Sequence, residues 1–497
     1  MTSPALHPVH FRADGRPPAP LAWGQLAFWD VLRWLPEGDD SPNLYRWLPV
    51  PAGAGLDRVT TALGLLLERH ESLRTRYFEQ GGAPTQQVLA EGVLPVHLYE
   101  AAGPDLAAQA EALGARLRRG ATDHARDLPV RAAVLTRGGA PVAVVLMISH
   151  LAVDAWSFRI ALRDLRTLLA EPAPDASALP ARSRQPAERA HYEASEAGRR
   201  REAATLAHWE RRLRSASPTM LEKSALTRAT GRDWATIDSP AMALALRALG
   251  SRTGTGPGTA LPALLGLLLS FRVGEPEAAL RLIVATRFAP RDRDYVGAFN
   301  QNGLLHLKVA DEPLERYLRG AVTTVIEAQR RCEANPRTVE ELVATVAAER
   351  GFTPDSYCFF NDVSFHGDRA PAAPRAPDAD GPGALAAVAA SLPLTRVEHL
   401  PRDDAQKGSK LFLSLHRLDE TCRITLCLDP AFLGRYRATD LLGDLERLLV
   451  RAVTDPAAEI GGLRCAFAPA GPAPQASTAA LAAPLTHHRT QQSKGTK

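Results

Sequence analysis

A histidine placed at the end of a buried strand is the residue of this sequence best suited to chemistry. Pro141 to Ile148 is an apolar, β-branched run of the kind that fills a sheet interior. His150 follows almost at once, in Ile148-Ser149-His150-Leu151-Ala152-Val153-Asp154-Ala155-Trp156-Ser157. An imidazole there can accept or share a proton near neutral pH, which the attack of an amine or hydroxyl on an acyl group requires. Asp154 is spaced to brace the loop through an arginine. A Ser-His-Asp triad is excluded, because neighbouring side chains on a strand point to opposite faces and Ser149 cannot share a proton with His150. The spacing alone carries little weight in a chain with 14 histidines.

The elements needed to position such a residue alternate between helix and strand, which makes the fold class mixed α/β (α+β). Leu56 to His70 sets Leu56, Val59, Leu63, Leu66 and Leu67 on one helical face,. Pro186 to about Leu213 reads as a helical passage whose Arg199, Arg200, Arg201, Arg211 and Arg212 mingle with glutamates on a solvated face,. Further on come a helix at Ala260 to Leu269, a strand at Ala279 to Ala285, strands at Lys410 to His416 and Cys422 to Leu428, and an amphipathic helix from about Arg437 to Val453,. Arg369 to Ala389 is crowded with Ala, Pro, Asp and Gly and reads as a long loop,. The expected organisation is a loose lead-in at 1–20, a lobe carrying the His150 motif at 21–185, a connecting helix and linker at 186–230, a second lobe at 231–467 and a disordered tail at 468–497,.

The composition narrows the class of partner. The chain has 497 residues, 45% hydrophobic and 23% charged, with a net charge of +4 spread among acidic residues, so nucleic acid is not an expected partner,. Five cysteines (Cys332, Cys358, Cys422, Cys427 and Cys465) lack CxxC spacing, and neither a disulfide framework nor a metal site is expected,. The first 20 residues lack a signal-peptide core and no apolar run spans a bilayer,. The reading is cytoplasmic, with no membrane partner, and a two-lobed chain that fills its own cleft is expected to be a monomer.

Several ordered segments together resemble the condensation domain of nonribosomal peptide synthetases, a member of the chloramphenicol-acetyltransferase-like superfamily of HxxxD acyltransferases. Leu21-Ala22-Trp23-Gly24-Gln25-Leu26-Ala27-Phe28-Trp29 is similar to its first core motif, and Arg69-His70-Glu71-Ser72-Leu73-Arg74-Thr75-Arg76-Tyr77-Phe78 to its second. The His150 segment resembles the third, HHxxxDGxS, with Ser149 in place of the first His and Ala155 in place of the Gly. Val296-Gly297-Ala298-Phe299-Asn300-Gln301-Asn302 resembles the fifth, with weaker echoes at Tyr357 to Val363 and Gly408 to Leu415.

The resemblance implies two acyltransferase-like lobes in a V-shaped pseudo-dimer with a central tunnel, and His150 as the residue facing substrate there. The implied reaction joins an acyl thioester, borne on the phosphopantetheine arm of an acyl or peptidyl carrier protein, to an amine or alcohol. The acceptor would be a second carrier's cargo or a free small molecule, and the product an amide or ester in natural-product biosynthesis. The chain would act in trans and bind no cofactor of its own. Asp154 resembles the family's structural aspartate, with Arg74 as its first expected partner and Arg69 as the second, since a buried carboxylate needs its charge matched. Ser149 is expected to satisfy a backbone group, and Trp156 with Ser157 to pack and cap the next element. Ala155 either narrows the channel or relaxes a turn that otherwise needs glycine. Gln25, with Trp23 and Trp29, is expected in the core or channel wall; Asn300, Asn302 and Asn361 are candidates for substrate contact. A silent recruitment domain, a coenzyme-A-dependent acyltransferase and an epimerase of the same fold are the alternatives.

Overall fold

The computed structural model describes residues 5–36, 38–218, 231–364, 381–401, 408–433 and 436–467. The first half carries β1 (Ala5–Arg12), β2 (Arg16–Pro20), β3 (Asn43–Pro49), β4 (Thr75–Gln80), β5 (Ala83–Val88), β6 (Glu91–Glu100), β7 (Val130–Arg137) and β8 (Ala140–Ser149). Five of these form a sheet in the order β1-β6-β7-β8-β3, and β2-β5-β4 form a smaller one.

The apolar run that precedes His150 is explained by burial on both faces of β8. Val144, Leu146 and Ile148 pack with Leu63 and Leu66 of the helix Leu56–Arg69 and Leu165 of the helix Ala155–Ala170. Ala143, Val145 and Met147 face the opposite way, toward Leu113 and Leu117 of the helix Leu106–Arg118. A strand covered on both sides has no need of polar alternation. Its last residue, Ser149, lies opposite Asn43 of β3, so the chain leaves the sheet at His150.

The second half carries β9 (Asp233–Ser239), β10 (Glu277–Val284), β11 (Gln301–Lys308), β12 (Cys358–Asp362), β13 (Arg396–His399), β14 (Leu411–Leu418) and β15 (Cys422–Leu428). They form one mixed sheet in the order β11-β10-β12-β14-β15-β9-β13. Its core is closed by the helices Pro240–Thr253, Pro257–Val273, Leu314–Arg330 and Ala438–Thr454. The helical passage at 186–215 is two helices, Pro186–Glu193 and Glu196–Ser215. Trp209 and Leu213 of the longer one pack on Leu304 and on the helix Pro336–Arg350, while Arg201 and Arg212 of its charged face reach Glu333 and Glu327.

Two expectations are corrected. Residues 5–20 are not a loose lead-in, because β1 pairs with β6 from Ala5↔Leu98 to Arg12↔Glu91 and buries Val9 and Phe11. Its Pro8 and three histidine and arginine neighbours mask the pattern, and an edge strand tolerates the proline. The segment Arg369 to Ala389 is not all loop, since Pro382–Ser391 is a helix, begun by a proline at its first position,. Residues 219–230 of the linker, 369–380 of that segment and the tail 468–497 lie outside the described residues. Cys332, Cys358, Cys422 and Cys427 are buried thiols and Cys465 is exposed. Among the described residues no single helix is long and apolar enough to cross a membrane.

The halves meet closely where the helix Trp23–Trp34 passes the start of β11. Gly24 sits so near that a Cβ there would overlap the Ala298 carbonyl oxygen. Gly24→Ala is therefore expected to force the two apart and to lower stability by about 1–3 kcal/mol, read from the denaturant midpoint.

Candidate active site

His150 sits in the turn between β8 and the helix Ala155–Ala170. Its backbone N–H donates to Pro42 O at 2.8 Å, and its ring lies flat against Phe28, with centroids 3.7 Å apart and planes 18° from parallel. Nδ1 is enclosed without a hydrogen bond of good geometry, although the residue as a whole keeps partial exposure. Burial pushes the imidazole below its ordinary pKa, outweighing the upward pull of nearby backbone groups and of Asp154,. The ring is therefore neutral at pH 7.

Asp154 does three structural jobs. It caps the following helix, its Oδ1 accepting from Ser157 N at 2.6 Å,. It accepts a forked pair from Arg287, Nη2 to Oδ1 at 2.9 Å and Nη1 to Oδ2 at 3.0 Å. Its Oδ2 also accepts from Phe299 N at 3.2 Å, and its own N–H donates to Gly297 O. Burial alone would raise the carboxyl's pKa, but Arg287 and the Ser157 N–H hold it below the ordinary range. A carboxylate so fully occupied has no lone pair to offer a substrate.

The partner of Asp154 is thus neither of the two arginines expected from sequence. Arg74 is buried and spends its guanidinium on the carbonyls of Leu67, Asp14 and Leu89, tying off the C-terminus of the helix Leu56–Arg69. Arg69 pairs with Asp164, about three turns along the helix from Asp154, beside His70,. Arg287 comes from the other half of the chain, just past the end of β10. Nothing in local spacing marks it except an arginine directly after a strand. Thr286, which precedes it, is the one non-glycine residue with positive φ (37°) among those described, and its hydroxyl donates to Phe299 O.

Ser157 is not the expected cap, because Asp154 holds that position and Ser157 supplies the N–H it accepts. Its Oγ donates to Gly297 O at 2.6 Å and accepts from Arg287 Nη2 at 2.6 Å and Gly297 N at 3.0 Å, so the motif and the 295–299 segment are stitched together. Val296 completes the stitch by entering the apolar core of the first half. Ala155 is the first residue of its helix with no positive φ, so the turn has no need of glycine. Trp156 lies under the Arg287 guanidinium at 5.8 Å. Ser149 accepts from Leu151 N, the expected backbone contact, and also meets His124 Nε2 at 2.7 Å.

Gln25 is fully buried, its Oε1 accepting from Ala22 N at 2.8 Å to cap its own helix and its Nε2 donating to Gln86. It does not touch His150; Phe28, one turn on, does. Asn302 and Asn361 flank Ile283 on the two neighbouring strands, forming a row across the sheet at the end of β10 that leads to Arg287, and Asn300 precedes β11. All three asparagines are partly exposed. Phe28, Arg287 and His124 escaped sequence reasoning because their roles arise from contacts between distant segments.

The family model for the condensation domain matches residues 47–344. The chain belongs to the condensation-domain family. It is 29% identical over 359 residues to the phosphinothricin tripeptide synthetase PhsC of Streptomyces viridochromogenes, covering 69% of this chain and 32% of that protein. This condensation-domain chain therefore spans about a third of that relative's length. Among solved structures it resembles the X-domain from teicoplanin biosynthesis (TM-score 0.64, 19% identity, 90% of this chain and 98% of that one). It also resembles the SgcC5 protein from Streptomyces globisporus (TM-score 0.63, 20% identity, 88% and 100%). The family is acyltransferase-like, its relatives are nonribosomal peptide synthetases, and the fold is that of the condensation domains.

Removing the Arg287 side chain leaves a buried, unmatched carboxylate, so Arg287→Ala is expected to cost about 3–5 kcal/mol of stability in chemical denaturation. The difference should shrink in acid. The folded pKa of Asp154 lies below its ordinary value of about 3.9, so its stabilisation is present above that pH and is lost as pH falls through the folded value,.

Proposed function

We propose that this condensation-domain chain joins an acyl thioester, presented on the phosphopantetheine arm of an acyl or peptidyl carrier protein, to an amine or alcohol. The observation that carries this reading is the contrast within the motif. Asp154 is saturated by Arg287, Ser157 and Phe299, whereas His150 is neutral, held in plane by Phe28 and able to take a proton.

In the proposed reaction the nitrogen or oxygen of the acceptor attacks the thioester carbonyl while His150 accepts its proton. The new C–N or C–O bond forms, the C–S bond breaks, and the proton passes from the imidazolium to the departing thiolate. The arm belongs to the carrier, so the chain supplies position and proton transfer only. Asn302 and Asn361, in the row across the end of β10 that leads to Arg287, are the proposed polar contacts for the incoming groups, with Asn300 just before β11. A recruitment role is the second reading. An X-domain of this fold has been solved in complex with OxyB from teicoplanin biosynthesis.

The test is to incubate the protein with carrier-bound acyl donors and a panel of amines and alcohols and to follow products by mass. His150→Ala is expected to lose about 10²–10⁴-fold in turnover. Absence of turnover in the native protein with every donor, together with tight binding to another enzyme, would favour recruitment; turnover with acyl-coenzyme A alone would replace the carrier.

The acid limb of kcat/KM is a separate check. Activity needs the unprotonated imidazole, whose pKa is lowered, so activity should persist below the ordinary histidine value of about 6.5 and fall only at more acid pH,.

A further inference from the structure

The turn that presents His150 is gripped from behind by a second imidazole. Ser149, completely buried, anchors this turn: its N–H donates to Pro129 O at 2.8 Å, its carbonyl accepts from Ala152 N at 2.9 Å and Val153 N at 3.2 Å, and its Oγ accepts from Leu151 N at 3.3 Å. The Oγ proton remains, and His124 Nε2 is 2.7 Å away. Burial draws the His124 pKa down to about 4, with Asp123 and Asp127 pulling it up and Arg131 pulling it down, so the ring is neutral at pH 7. With Oγ–H as the donor, Nε2 is assigned as the unprotonated nitrogen.

His124 is itself braced. Its carbonyl accepts from Tyr77 N at 2.8 Å, and its ring meets the Tyr77 ring edge-on, with centroids 6.3 Å apart at 74°. Gln25 Nε2 donates to the Tyr77 hydroxyl at 3.5 Å, and Gln25 caps the helix that carries Phe28. Phe28 returns to His150. The contacts close a circuit through four separate stretches of chain, and both ends of it bear on one imidazole.

We infer that His124 is a positioning residue for His150, acting through the Ser149 hydroxyl to hold the turn, and hence the His150 ring, in register with Phe28. This rests on the proposed proton-transfer role of His150. Losing the Ser149–His124 bond removes a side-chain anchor behind the turn, while the Phe28 side stays in place. The ring then shifts relative to its stack, and a misplacement of about 1 Å costs rate far more than it costs binding.

The experiment compares His124→Ala, Ser149→Ala, the double variant and His124→Gln, whose amide can still bond Oγ. Turnover is followed by mass and the His150 imidazole by nitrogen-15 NMR of histidine-labelled protein, its signals assigned with His150→Gln. His124→Ala and Ser149→Ala are each expected to lower kcat about 10–100-fold with KM changed less than about threefold. The double variant should be no worse than Ser149→Ala alone, because the bond that His124 makes to Oγ is already absent there,. His124→Gln should recover most of the loss, and the His150 signals should move in the alanine variants but return in the glutamine one. Unchanged His150 signals and kcat in a folded His124→Ala protein would overturn the inference, as would losses that multiply in the double variant. If His124→Ala fails to fold, Ser149→Ala and His124→Gln decide it by the same readouts. If the native protein turns over no donor, the catalytic reading fails, while the NMR comparison still decides whether His124 holds His150.

Discussion

The fork between Asp154 and Arg287 is the constraint on which the rest of the site depends, because it is the point where the two halves of the chain share one buried charge pair. Each partner is almost wholly removed from water, and an ion pair in that setting earns little net stability compared with an apolar contact. What it supplies is geometry. Two parallel N–H···O bonds, a helix cap and a backbone N–H converge on a single carboxylate, and no sliding of one half against the other preserves all four. The strained Thr286 beside Arg287 is consistent with a backbone held in place by its surroundings, its hydroxyl bonded to the same 295–299 segment,.

A second junction lies at the start of the Trp23–Trp34 helix. Buried Arg189 donates to Glu193 at 2.7 Å and Glu333 at 2.6 Å and stands 4.7 Å over the Phe299 ring, while Glu193 also accepts from Trp23 N at 2.7 Å. The connecting helix, the start of the first half and the second half are thereby pinned together. With the helix fixed at this junction and the motif loop fixed at Arg287, Phe28 and His150 approach each other as parts of two separately anchored elements. This explains how a flat stacking contact is kept without any hydrogen bond between the two rings.

Much of the framework was legible before any coordinates. The apolar run ending at Ile148, the helical face of Leu63 and Leu66, and the strands around Leu413 and Leu426 follow from burial, and burial leaves a periodic trace in residue type,. The strand at Ala5–Arg12 was illegible for the opposite reason: it lies at the sheet edge, pairs with the distant segment Glu91–Leu98, and sets Pro8 and His10 beside its buried Val9 and Phe11. The partner of Asp154 was misjudged because Arg69 and Arg74 lie in the same motif set and the same half. An ion pair is a matter of distance in space, and both of those arginines had nearer acceptors: carbonyls for Arg74, Asp164 for Arg69.

The sequence by itself determined that a histidine would follow a buried strand and that a helix would follow it in turn, since both depend on residue type over a few neighbouring positions; that Asp154, and not Ser157, caps that helix was decided by the structure. It also carried the ordered motifs through which the family could be recognised. Only the tertiary structure decided which arginine neutralises Asp154, that Phe28 stacks on His150, and that His124 stands behind Ser149. Each of these joins segments separated by 25 to 133 residues. Contacts at that range are selected by the packing of whole elements, and they leave no local period for a sequence to display.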